Sequence, residues 1–174
     1  MTIRFAVQDD FHEVMAFYGM MCKVLGEMSF LHDGNKGGYP SEDMVRKAIR
    51  DSDLLIGTEG DTIVAAIIMN HEQDPAYGKV HWQVSESPEN ISVMHALRVS
   101  PEVSRQGYGT AMVKRCIDEA GNRGQKAIRL DTLDENTVAQ KLYSKLGFQF
   151  IETVEIFYED IGAPHTVFCY ERVL

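Results

Sequence analysis

"RVSPEVSRQGYGTAM", residues 98–112, sets two glycines, Gly107 and Gly109, between a β-branched apolar run and an amphipathic helix. Glycine costs roughly 1 kcal/mol relative to alanine inside a helix, so two of them at a helix start need a reason. The pair fits either a plain tight turn or a place where backbone N–H groups at a helix N-terminus approach a diphosphate closely. Side chains at 107 and 109 would keep phosphate oxygens away from those amides, and the helix dipole favours the negative charge. A dinucleotide-binding turn needs Gly-x-Gly-x-x-Gly, and its third position here is Met112. No Gly-x-x-x-x-Gly-Lys-Ser/Thr string occurs anywhere in the chain. Both of those nucleotide-binding readings fail. The tight turn and the diphosphate seat stay open on this stretch alone.

Outward from it, "SVMHALRV" (92–99) reads as the preceding strand, and Met112, Val113, Cys116, Ile117 and Ala120 as the apolar stripe of the following helix. "KAIRLD" (126–131) is the next strand, so this portion predicts a right-handed parallel crossover. "ENTVAQKLYSKLG" (135–147) is a helix with Val138, Ala139, Leu142, Tyr143 and Leu146 on one face and Gly147 at its C′ position. Two strands follow, at about 150–157 and 166–173, joined by a turn around Gly162-Ala163-Pro164. On the other side, "TIRFAV" (2–7) is a strand, and Phe11, Val14, Met15, Tyr18, Met21 and Leu25 mark a long helix. A loop, "SFLHDGNKGGYP" (29–40), leads to a helix capped by Ser41 with Met44, Val45, Ala48 and Ile49 inward. "DLLIGT" and "TIVAAIIM" form a hairpin through Glu59-Gly60-Asp61, and the polar stretch after it offers "KVHWQV" (79–84) as an extended candidate. The order is β-α-α-β-β-β-α-β-α-β-β. It predicts an α/β protein of the α+β type, a mixed, mostly antiparallel twisted sheet flanked by helices in one domain over 1–174.

Composition narrows the classes. Of 174 residues, 44% are hydrophobic and 9% aromatic, enough for a packed core. A formal charge of −9 argues against nucleic-acid binding, which needs clustered Lys and Arg. No apolar run is long enough to span a bilayer, and no secretory signal precedes the first strand, so a cytoplasmic protein with no membrane partner is expected. Three widely spaced cysteines, Cys22, Cys116 and Cys169, suit reduced thiols in a core. The six histidines show no metal-ligand spacing, so no metal is expected.

"SRQGYGTAM" followed by "ENTVAQKLYSKLGF" resembles the GNAT superfamily of N-acetyltransferases, and the element order is similar to that fold along essentially the whole chain. The resemblance implies acetyl-CoA as cosubstrate, with its pyrophosphate on the turn Arg105, Gln106, Gly107, Tyr108, Gly109 and Thr110. It implies pantetheine contacts from Asn136 and Ala139, and backbone contacts from Leu97, Arg98 and Val99, with the Val99 amide as oxyanion donor. Where the family carries Gln or Arg three residues before the first glycine, this chain has Ser104.

Acetyl transfer to an amine needs a proton taken from the amine, a stabilised oxyanion and a proton given to the departing sulfur. Tyr143 is the general-acid candidate, two helical turns beyond Asn136; a plain packing aromatic is the alternative. His95 is the candidate base, since alternation puts it on one face with Leu97 and Val99. "HALRV" is also similar to the strand of arylalkylamine acetyltransferases, where a histidine helps deprotonate the amine. A histidine hydrogen-bonded within the sheet, or a water chain as base, is the alternative. Tyr39, His81 and Trp82 are candidates for an acceptor pocket, or else for surface packing or a homodimer contact. The expected function is transfer of an acetyl group to a primary amine of a small molecule or peptide. A non-catalytic acyl-CoA-binding sensor of the same fold is the alternative.

Overall fold

The computed structural model describes residues 1–26, 38–158 and 163–174, without the side chain of Leu25. Most of the loop expected at 29–40 and part of the turn at Gly162 therefore lie outside the described residues. The elements are β1 (Thr2–Phe5), α1 (Phe11–Gly26), α2 (Glu42–Arg50), β2 (Leu54–Glu59), β3 (Thr62–Asn70) and β4 (Ile91–Val99). They continue with α3 (Tyr108–Asn122), β5 (Ala127–Leu133), α4 (Thr137–Lys145), β6 (Gln149–Tyr158) and β7 (Ala163–Val173). This is the order expected. The strands form a seven-stranded sheet in the order β1-β2-β3-β4-β5-β7-β6. β4 and β5 pair in parallel, whereas β1–β2, β2–β3, β5–β7 and β6–β7 are antiparallel.

The chain divides into two units, Met1–Met69 with His95–Met112, and Asn70–Met94 with Val113–Leu174. In the first, Asp10 closes the turn ahead of α1, accepting from the Val7 amide at 2.7 Å and from both Arg4 terminal nitrogens at 2.6 and 2.7 Å. α1 then buries Val14, Phe17, Tyr18 and Met21. Ser41 caps α2 as expected, its hydroxyl accepting from the Met44 amide at 3.2 Å, and Val45, Ala48 and Ile49 turn inward. These faces share one core with Leu54, Ile56, Ala66 and Ile68. The hairpin turns at Gly60, whose φ of +57° is a glycine conformation.

In the second unit the candidate strand at 79–84 does not form. Gln83 and Val84 instead donate their amides to the Glu171 carboxylate at 2.8 and 3.2 Å, so a side chain satisfies what a neighbouring strand would have. α3 buries Val113, Cys116 and Ala120, and α4 ends with Gly147 at φ +82°. On α4 the expected stripe is corrected at one place: Val138 is 79% exposed. It stands beside, not on, the line Ala139–Tyr143–Leu146, one step round the helix. β7 begins earlier than expected, at Ala163, with Pro164 opposite Phe157. Its register with β5 covers only Val167–Val173, so the proline falls where β7 pairs with β6 alone.

Candidate active site

The parallel register of β4 with β5 runs Ile91↔Ala127, Ser92↔Ile128, Val93↔Arg129 and stops before Met94 and Leu130. Two residues further along β4, Ala96 adopts φ +51°. A left-handed alanine costs roughly 1–3 kcal/mol and breaks the two-residue alternation of a strand. The expectation that His95, Leu97 and Val99 share one face by alternation therefore does not hold across Ala96. All three, with Arg98, are half-buried. The Ala96 carbonyl accepts a buried hydrogen bond from the Tyr18 hydroxyl of α1 at 3.2 Å. Arg98 turns its Nη1 back to the Leu97 carbonyl at 2.9 Å.

After β4, Pro101–Val103 make a short 3-10 turn, closed by the Ser104 amide on the Pro101 carbonyl at 3.1 Å. Ser104 thus ends a turn and is exposed. Arg105 and Gly107 then both take positive φ, +64° and +82°, with an exposed Gln106 between them. α3 starts at Tyr108, so Gly109 sits inside its first turn and Gly107 just ahead of it. The first bond of the helix runs from the Ala111 amide to the Gly107 carbonyl at 2.9 Å. The amides of Tyr108, Gly109 and Thr110 come before that ladder and carry the positive end of the helix dipole. The Tyr108 hydroxyl donates to Glu59 at the end of β2, and the carboxylate raises the tyrosine's pKa. Sequence reading missed Glu59, which lies 49 residues away and bears no motif.

The second unit carries the other expected residues. Asn136 is the N-cap of α4, its side-chain oxygen accepting from the Ala139 amide at 3.1 Å. Tyr143 is 7% exposed, with its ring centroid 5.7 Å from Phe148 and 6.3 Å from Tyr170. Sequence reading also passed over Asp131, though an aspartate inside an apolar strand is a signal, being depleted in strands. Its carboxylate accepts from the Tyr77 hydroxyl at 2.8 Å and the Tyr158 hydroxyl at 2.7 Å. Burial, and then the Asp131 charge, push the Tyr77 hydroxyl well above its ordinary range, so it stays a donor. Trp82 donates to the Tyr77 carbonyl at 3.0 Å and lies under the Arg129 guanidinium, 4.4 Å from its ring. His81 bonds Glu152 at 3.1 Å. In the first unit the Tyr39 carbonyl accepts from the Cys22 thiol at 3.4 Å. Among the described residues no group of His, Cys, Asp and Glu could hold a metal ion, and no helix is long and apolar enough to cross a membrane.

A family model described as "Acetyltransferase (GNAT) family" matches residues 27–148. An uncharacterized N-acetyltransferase of Methanocaldococcus jannaschii is 29% identical over 75 residues, 43% of this chain and 33% of that protein. The [ribosomal protein bS18]-alanine N-acetyltransferase of Escherichia coli K12 is 38% identical over 52 residues, 30% of this chain and 35% of the relative. The match thus spans about a third of the length of these curated relatives. Three solved structures share the fold. A ribosomal-protein-alanine N-acetyltransferase from Brucella melitensis superposes with a TM-score of 0.74 at 14% identity, covering 100% of both chains. A GNAT-family acetyltransferase from Streptococcus pneumoniae gives 0.72 at 19%, covering 99% of each. The yncA protein of Salmonella typhimurium, solved with its cofactor acetyl-CoA, gives 0.72 at 16%, over 99% of this chain and 93% of that one.

Proposed function

The chain belongs to the acetyltransferase (GNAT) family, and from that premise we propose an acetyl-CoA-dependent N-acetyltransferase, one domain over 1–174, acting on a primary amine of a small molecule or peptide. The observation that carries the reading is the turn before α3. Positive φ at Arg105 and Gly107 brings the chain to a helix start where three successive amides precede the ladder, a backbone seat suited to a diphosphate. Acetyl-CoA supplies the activated carbonyl and the thiolate leaving group.

The chain's own residues do the rest. The amides of Tyr108, Gly109 and Thr110 bind the diphosphate, flanked by Arg105 and Gln106. The backbone of Leu97, Arg98 and Val99 orients the pantetheine arm, and the Val99 amide stabilises the oxyanion. His95 takes the proton from the attacking amine, and the Tyr143 hydroxyl gives one to the sulfur as the carbon–sulfur bond breaks. Asn136 and Ala139 support the arm. Asn136 already spends its side-chain oxygen on the Ala139 amide, which leaves its NH2 group for that role. A relative is named for acting on the alanine of a ribosomal protein, so a peptide amine with N-terminal alanine is the first acceptor to try. Buried, unpaired thiols suit a reducing cytoplasm.

The test is titration with acetyl-CoA, then an amine panel including an alanine-initiated peptide, read by release of free thiol. Turnover that falls about 100-fold in Tyr143→Phe supports the assignment. Replacing His95 by alanine should remove one limb of the pH–rate profile. Tight acetyl-CoA binding with no acceptor turned over would favour a sensor instead.

A further inference from the structure

Among the described residues three that are not glycine adopt positive φ: Ser52, Ala96 and Arg105. Ser52 and Arg105 are exposed and lie in turns, where such a backbone has room to relax. Ala96 is different. It is 8% exposed, sits inside a strand, and belongs to the core of the first unit. A strained residue persists only where its surroundings over-determine it. Here the surroundings include one specific group: the Tyr18 hydroxyl, which donates to the Ala96 carbonyl at 3.2 Å from 78 residues away. Tyr18 is itself fixed, 2% exposed on the inner face of α1 and 5.8 Å from the Phe17 ring. The hydroxyl is a polar group carried into an apolar core, and it donates to this carbonyl there.

We propose that Tyr18 is a positioning residue for acetyl transfer: its hydroxyl holds the Ala96 carbonyl and so fixes the left-handed residue that aims His95 and the amides of Leu97 to Val99. The inference rests on the roles proposed above for those four residues. It adds a contact from α1, remote in sequence from every motif. Without the bond the strand relaxes toward regular alternation, and His95 and the amides beyond it turn away from their working directions.

Tyr18→Phe keeps the ring and removes the donor. Its kcat for the best amine of the panel should fall about tenfold, while binding of CoA alone changes less than about twofold, because the diphosphate turn is untouched. Glycine takes positive φ without cost, so adding Ala96→Gly to Tyr18→Phe should recover most of the lost rate. Unchanged kcat in Tyr18→Phe overturns the proposal. So does a loss that merely follows the unfolded fraction seen by circular dichroism, or one that Ala96→Gly fails to recover. If the wild type binds CoA but turns over no amine, the functional reading fails, and backbone chemical shifts still decide the geometry. Ala96 then leaves the left-handed region in Tyr18→Phe, or it stays and the role assigned to Tyr18 is wrong.

Discussion

The turn before α3 is made of backbone, and a buried ion pair in the second unit is made of side chains. At Gly107–Thr110 backbone amides lead the helix, and positive φ at Arg105 and Gly107 shapes the approach to them. At Arg129 and Glu171, side chains 6% and 0% exposed meet at 3.0 Å across the β5–β7 pair. Glu171 also takes two loop amides, and Arg129 donates to the Val84 carbonyl at 2.6 Å. The first arrangement sets its donors ahead of the helix ladder, where we propose the diphosphate sits. The second spends every group on the fold, as a buried charge must to offset its lost hydration.

That contrast can be broken at several points. Glu171→Ala strands a buried guanidinium and should cost about 3–5 kcal/mol in urea unfolding. Adding Arg129→Met should recover much of it, since the pair then leaves no uncompensated charge. Gly109→Val blocks the backbone approach and should weaken CoA binding about 10- to 100-fold by calorimetry. Equal affinity would remove the diphosphate from this turn. Gly107→Ala separates conformation from space, because a methyl there meets nothing within 4 Å while φ is +82°. It should cost roughly 1–2 kcal/mol from the left-handed backbone alone.

The smallest expected effect is at Arg4–Asp10, the half-exposed counterpart of Arg129–Glu171, with side chains 45% and 12% exposed. Hydrogen bonding from Arg4 holds the Asp10 carboxyl below its usual range, against the opposing effect of burial. A lowered carboxylate pKa contributes stability above the unfolded value and loses it as pH falls through the folded one. The difference between wild type and Asp10→Asn should therefore be level near neutrality, about 0.2–1 kcal/mol, and close below about pH 4. A difference that grows on acidification would reverse the assignment.

Local features were legible in the chain. Ser41, Gly60 and Gly147 announce a cap, a turn and a helix end because their chemistry acts within four residues. The crossover from β4 to β5 follows from apolar periodicity alone. What could not be read depends on partners far away in sequence. The stretch 79–84 has the composition of a strand, yet its amides answer to Glu171. Ala96 looks like any strand alanine, and its φ is known only once Tyr18 is beside it. Val138 fits a helical stripe, but which edge of the stripe faces outward depends on the body that α4 meets. At the site the motif residues were visible and Asp131 carried a signal of composition, while the long-range contacts of Glu59 and Tyr18 carried none.

The three thiols have a practical consequence for measurement. Burial pushes Cys116 and Cys169 up to about 12, and Cys22 is buried as well. At an assay pH near 8 only about one in 10,000 of the first two would be thiolate, the form that attacks a disulfide reagent. A colorimetric thiol reagent added to the folded protein should thus register released CoA over a low blank. Slow growth of that blank in the absence of any amine would itself time how often the cores open.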